Sequence, residues 1–260
     1  MTARKGVASD ASGPRSDALT VRAWLRAQIA NEGYWFHRMA LAPDMVTPGW
    51  SDPRVDKLPH YGLPEDLAGM RVLDIGCAEG FFAFEAERRG AREVVAIDSF
   101  PDSIRRFNIC RSALGSRATA FLCNVYTLDP STFGTFDVIL FYGVLYHLRH
   151  PLLALERILN VCTGTMLLQT ATYEVPGATA MPLAQFYPGG LPSGPPEEPQ
   201  WDPTVFWMPN AACVRAMVAH TGFHALETIS TDPKISLVVR ARSPIQARGQ
   251  APDQTKAPWS

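Results

Sequence analysis

Two carboxylates in matching positions give this sequence its first chemical signal. Val72-Leu73-Asp74-Ile75-Gly76-Cys77-Ala78-Glu79-Gly80 reads as an apolar strand running into a glycine-bearing turn with a helix behind it. Glycine lets backbone approach a ligand closely, and the amide end of a helix favours negative charge. Twenty-four residues after Asp74, the apolar run Val94-Val95-Ala96-Ile97 ends in Asp98, followed by Ser99. A carboxylate at the carboxyl edge of a strand can accept both hydroxyls of an adenosine ribose, and open parallel sheets take their ligands at those edges.

The turn carries an acid before its glycine and no lysine, so it suits a cationic amino-acid tail better than a pyrophosphate. A carboxylate near a ligand ammonium, with glycine amides near the ligand's carboxylate, describes S-adenosylmethionine. A dinucleotide fingerprint would want small residues where this chain has Ala78 and Phe81, and it normally opens its domain. A nicotinamide-dependent oxidoreductase is therefore the weaker reading. Asp74-x-Gly76-x-x-x-Gly80 together with Asp98 resembles motifs I and II of the class I S-adenosylmethionine-dependent methyltransferases, with Ala78 in place of the middle glycine. The resemblance covers roughly residues 68–170. It implies that Asp74, Gly76, Cys77 and Gly80 surround the methionyl part and that Asp98 and Ser99 hold the ribose. It also implies that Asn124-Val125 read the adenine. Tyr142-Gly143-Val144-Leu145-Tyr146-His147-Leu148-Arg149-His150-Pro151, with Trp50 upstream, is similar to the tRNA wobble-uridine carboxymethyltransferase group. Phe206-Trp207-Met208-Pro209-Asn210 and Phe186-Tyr187-Pro188 resemble its shorter relatives, some of which act on small molecules. The carboxymethylating enzymes use an N-terminal lysine for the cofactor's extra carboxylate. Between Trp24 and Trp50 this chain has none, so ordinary S-adenosylmethionine is expected.

Methyl transfer is an in-line displacement, and its main demand is alignment of nucleophile, carbon and sulfur. Aromatic faces stabilise a sulfonium and exclude water. Trp50, Tyr142 and Tyr146 are the candidates. An oxygen or nitrogen nucleophile is helped by a base near neutral pKa, and histidine is the default. His147 follows the fourth expected strand, where the site should open, and His37 lies in the segment expected to cap it. His60, His220 and His224 read as structural or exposed. A carboxylate acceptor would need no base, and Arg149 or Arg54 would then orient it.

These side chains need a frame. Expected strands at 70–75, 93–97, 118–122, 136–140 and 165–169 alternate with expected helices at 80–89, 101–114 and 151–161. A helix at 211–220 and two closing strands, near 223–229 and 235–239, finish the domain. The strands are too continuously apolar to be half exposed, so the fold class is α/β. The resemblance makes it Rossmann-like, a mostly parallel seven-stranded sheet with helices on both faces. Residues 18–66 are read as an N-terminal helical cap and 67–242 as the main domain. Nine of the 22 prolines fall between Pro176 and Pro209, a density no regular element should hold. That segment also carries Phe186, Tyr187, Trp201 and Trp207, and it is read as a lid whose aromatics line the acceptor pocket. Residues 1–17 and 243–260 read as disordered tails.

The balance of 24 basic against 25 acidic side chains argues against a grip on nucleic acid. The wobble-uridine resemblance and six basic residues against three acids in residues 1–40 keep tRNA as the runner-up partner. Five cysteines without a CxxC pair give no disulfide framework and no metal site. With no signal-like start and no long apolar run, a cytoplasmic protein without a membrane partner is expected. The expected activity is methyl transfer to a small molecule, most of all at oxygen, in specialised metabolism. A cofactor-binding subunit without turnover is a third reading.

Overall fold

The computed structural model describes residues 18–193, 200–231 and 236–245. The expected tail at 1–17, residues 246–260 of the tail expected at 243–260, and lid residues 194–199 lie outside the described residues. The chain begins with α1 (Ala18–Asn31), then a hairpin of β1 (Ala40–Ala42) and β2 (Met45–Val46), then the short α2 (Pro53–Asp56). The helical cap expected over 18–66 is thus helical mainly in its first part. Beyond Asn31 the chain meets Gly33, Pro43, Pro48 and Gly49, which no helix carries through, and it becomes an extended strap.

The body alternates β3 (Arg71–Ile75), α3 (Phe81–Arg88), β4 (Glu93–Asp98), α4 (Pro101–Leu114) and β5 (Thr119–Leu122). It continues with α5 (Pro130–Phe133), β6 (Phe136–Tyr142), α6 (Pro151–Val161) and β7 (Cys162–Thr170). The sheet runs in the order β12-β13-β7-β6-β3-β4-β5, where β12 (His224–Ser230) and β13 (Leu237–Arg242) follow α7 (Ala211–His220). Neighbours from β5 to β7 are parallel, and β13 is antiparallel to both β7 and β12. The chain leaves β3 toward β4 and β5, then returns to place β6 on the other side of β3. That reversal opens a crevice at the carboxyl ends of β3, β4 and β6.

Alternate residues of the strands feed two separate cores. Val72, Val94, Ala96, Val138 and Leu140 pack with Leu25, Ile29, Phe82 and Phe107 from α1, α3 and α4. Leu73, Ile75, Val95, Ile97, Ile139 and Phe141 pack with Leu155, Ile158, Val214 and Val218 from α6 and α7. Burial on both faces explains strands that read as unbroken apolar runs. No helix of the described residues is long and apolar enough to cross a membrane.

The lid departs from expectation. It holds two short antiparallel ladders, β8 (Ala184–Phe186) with β11 (Trp207–Pro209), and β9 (Leu191–Ser193) with β10 (Gln200–Asp202). Each strand has three residues, and Pro192 and Pro209 sit in two-stranded ladders, where both strands are edges and a missing N–H is tolerated.

Candidate active site

The crevice is walled by the turn after β3. Asp74 is buried, and the Ala83 N–H at the start of α3 hydrogen-bonds it. Its Oδ2 has no hydrogen-bond partner among the described residues. Burial pushes its pKa up to about 7, opposed by the Ala83 hydrogen bond and aided by the Asp98 charge. The turn's own amides are committed internally. Gly76 and Cys77 donate to Ile97 O, at 2.8 and 3.1 Å, Ala78 donates to Asp98 Oδ2 at 3.0 Å, and Gly80 donates to Cys77 O at 2.8 Å. This corrects the expectation that glycine amides face the ligand. Gly76 is required by shape: its φ is +72°, and a Cβ there would fall 2.4 Å from Val144 Cγ2. Cys77 is buried in the core, and burial pushes its thiol well up, with the nearby Asp74 and Asp98 charges adding to the rise.

Asp98 closes β4, 8% exposed. Phe100 N–H donates to its Oδ1 at 2.9 Å, and Ser103 adds a side-chain bond. Burial raises its pKa and those donors oppose the rise. With the Ala78 N–H these donors take three of the carboxylate's four lone pairs, so capacity for one hydroxyl donor remains. Ser99 and Phe100 are exposed beside it, and Phe100 is an apolar wall the sequence reading passed over. Asn124 is exposed and caps the turn 125–127, its Oδ1 accepting from Tyr126 N–H at 3.0 Å. The Val125 side chain is core.

A buried polar cluster ties the strap to this turn. Glu79, fully buried, accepts from Phe36 N–H at 2.7 Å and His37 N–H at 3.3 Å. His37 Nδ1 lies 3.2 Å from Glu79 Oε2 but out of hydrogen-bond alignment, and Arg106 Nε is 3.6 Å from Oε1. Lys57 Nζ sits 3.2 Å from His37 Nε2 and 4.0 Å over the Phe36 ring. Burial lowers the His37 pKa and brings Lys57 down to about 8. Burial pushes Glu79 up, but His37 and the Phe36 amide outweigh it and hold the carboxyl below its usual range. His37, expected as a base, is thus enclosed in a structural ion cluster. Glu79 and Lys57 were not singled out from sequence, because their partners lie some 20 to 43 residues away. Trp50 reaches the same cluster edge-on to Phe36 and is 45% exposed, its Nε1 donating to Tyr34 Oη at 3.4 Å.

The other wall follows β6. Tyr142 is buried, tilted against Tyr61 and edge-to-face with Phe82, and its hydroxyl donates to Tyr61 O at 3.0 Å. Tyr146 packs 4.1 Å from His147, and burial raises its phenol to about 12. Burial lowers the His147 pKa, opposed by the Asp202 charge and a Thr204 backbone hydrogen bond. The lid is bonded to this turn through Phe206 N–H to Tyr146 O, at 3.0 Å, and within the lid Tyr187 N–H donates to Phe206 O, at 2.8 Å. Of the lid aromatics, Trp207 packs against Phe186 at 4.8 Å. Phe186 and Trp201 are more than half exposed, with Trp201 Nε1 donating to Gly189 O. Arg149 is exposed and stacks over Phe206 at 4.9 Å. His60, His220 and His224 are exposed.

Against known proteins, a family model described as a methyltransferase domain matches residues 50–228, from Trp50 to the closing strands. The chain belongs to the methyltransferase-domain family. Two curated proteins, the tRNA U34 carboxymethyltransferases of Edwardsiella ictaluri and Serratia proteamaculans, are each 33% identical to this methyltransferase. The matches run over 127 and 134 residues, or 48% and 50% of this chain, and cover only 38% and 41% of those proteins. Among solved structures, the N-terminal domain of EvdMO1 in the presence of SAH and D-fucose superposes with a TM-score of 0.65 at 19% identity. It covers 85% of this chain and 97% of that one. The [4+2]-cyclase SpnF superposes at 0.57 and 15% identity, covering 86% and 93%. Both likenesses concern the fold alone, a Rossmann-like sheet with helices on both faces.

Proposed function

We propose that this methyltransferase binds S-adenosylmethionine in the crevice and transfers its methyl group to a small-molecule acceptor, at oxygen. The observation that carries the cofactor reading is the pair of carboxylates at the ends of adjacent parallel strands. Asp74 offers a buried oxygen with no partner, and Asp98 sits one strand over with one acceptor site to spare. A cationic amino-acid group satisfies the first, and a ribose hydroxyl satisfies the second. When bound, S-adenosylmethionine supplies a methyl group on a sulfonium. Asp74 would hold the ammonium, Asp98 the ribose and the 124–125 backbone the adenine. Tyr146 and the lid would exclude water from the acceptor, and His147 would take a proton from its hydroxyl. A net charge of −1 supports a small acceptor over a polyanion.

One observation favours a second reading. The curated relatives act, by name, on tRNA U34, so tRNA is the competing acceptor. Incubating the protein with methyl-labelled S-adenosylmethionine and whole-cell extract separates the two. Label in organic-soluble metabolites is expected, label in tRNA would replace the small-molecule reading, and absence of label in every fraction would leave a binding subunit.

A further inference from the structure

The lid does more than cover His147. Thr204 Oγ1 lies 2.9 Å from His147 Nδ1. The same hydroxyl donates to Asp202 Oδ1 at 2.5 Å, and the Thr204 N–H donates to that oxygen at 2.8 Å. Asp202 Oδ2 stands 3.8 Å from Nδ1. An ionised carboxylate only accepts, so the single Thr204 proton points to Asp202 and its lone pairs face the imidazole. Nδ1 must then carry the ring proton, which leaves the Nε2 lone pair free. Tyr146, 4.1 Å away, fixes the ring plane from one side. The position of Asp202 is fixed as well. Gly190 packs so tightly on it that a Cβ there would fall 2.1 Å from Asp202 O, at a φ of +85°.

We infer that Asp202 and Thr204 are positioning residues that set His147 in its Nδ1–H tautomer, so that the lid completes the base. The role of Nε2 as base rests on the methyl-transfer reading above, whereas the tautomer does not. In the step, the acceptor hydroxyl loses its proton to Nε2 as its oxygen bonds the methyl carbon. The carbon–sulfur bond breaks with its electron pair left on sulfur. The imidazolium so formed is stabilised through Thr204 by the Asp202 carboxylate. A base assembled by a lid is active only when that lid is docked, which keeps the reaction from running in an open, wet crevice.

The test is the nitrogen spectrum of the full-length protein labelled with 15N-histidine, taken at pH 8 where a ring of lowered pKa is neutral. A His147→Gln sample identifies the signals. An Nδ1–H, Nε2-unprotonated pattern is expected for His147. It should be lost in Thr204→Val, kept in Thr204→Ser, and lost in Asp202→Ala, whose Thr204 proton is free to turn to the ring. With the labelled acceptor fraction, Thr204→Val should turn over at least about 10-fold more slowly at unchanged S-adenosylmethionine KM. An Nε2–H pattern in the unaltered protein, or Nδ1–H retained in both Thr204→Val and Asp202→Ala, overturns the inference. Absence of methyl transfer with the expected tautomer would instead overturn the transfer reading and the base role with it.

Discussion

The Asp74 carboxyl makes cofactor affinity a function of pH. Its pKa, held at about 7 by burial, means that in the ligand-free protein the group is half ionised at pH 7 and about 3% ionised at pH 5.5. Only the ionised form attracts an ammonium, so binding must expel the proton wherever it is present. The expected loss of affinity between pH 7 and 5.5 is then about 16-fold, or about 1.6 kcal/mol. Calorimetric titration with S-adenosylhomocysteine, run in two buffers of different ionisation enthalpy, should show about half a proton released at pH 7 and close to one at pH 5.5. Asp74→Asn should bind more weakly at pH 7 and lose the pH dependence. A wild-type affinity flat from pH 7 to 5.5, or a dependence unchanged in Asp74→Asn, would refute the assignment of the orphaned oxygen to the ligand cation.

Further expectations follow from the same contacts. Because its folded pKa lies above the unfolded value, Asp74 makes the ligand-free protein less stable as pH climbs from about 4 to 7. Asp74→Asn should therefore raise the melting temperature at pH 8, and an unchanged one would contradict the shift. Glu79→Ala removes the acceptor of two buried strap amides and the anion facing Arg106. A loss of about 3–5 kcal/mol in urea unfolding is expected, with amide exchange at 36–37 accelerated first. Gly76→Ala should cost about 1–3 kcal/mol, and Val144→Ala added to it should restore the part due to the 2.4 Å clash but not the part due to φ. Asp98→Ala should abolish cofactor binding in calorimetry, whereas Tyr146→Phe should lower turnover with little change in cofactor affinity.

What the sequence disclosed was what lies along a single strand–turn–helix path. Asp74, Gly76 and Asp98 announce themselves because the strand period and the turn glycine fix their places within a few residues. The helix starts at Pro101 and Pro151 were equally plain, each carrying a proline in its first turn. What stayed hidden were contacts between distant segments. Glu79 meets Phe36 across 43 residues and Thr204 meets His147 across 57, and no periodicity marks such pairs. Tyr142 was read as a ligand-facing ring because the sequence shows which strand it ends but not that its hydroxyl is already spent on Tyr61 O. The commitment of the glycine amides is hidden for a related reason: Gly76 donates to Ile97 O on the next strand, and Gly80 to Cys77 O through a turn whose shape the sequence does not show.

The strap's attachment to Glu79 bears on where this domain begins. The family match opens at residue 50, yet Phe36 and His37 supply the amides that neutralise a carboxylate buried under the cofactor turn. A protein cut at the match boundary would keep every motif residue and still strip Glu79 of its two amide donors and of His37, leaving a buried carboxylate near Asp98 with only the distant cations Arg106 and Lys57. The packing unit thus reaches upstream of the family match: Leu25 and Ile29 of α1 share the core of the sheet, and expression or grafting of this fold should carry α1 and the strap with it.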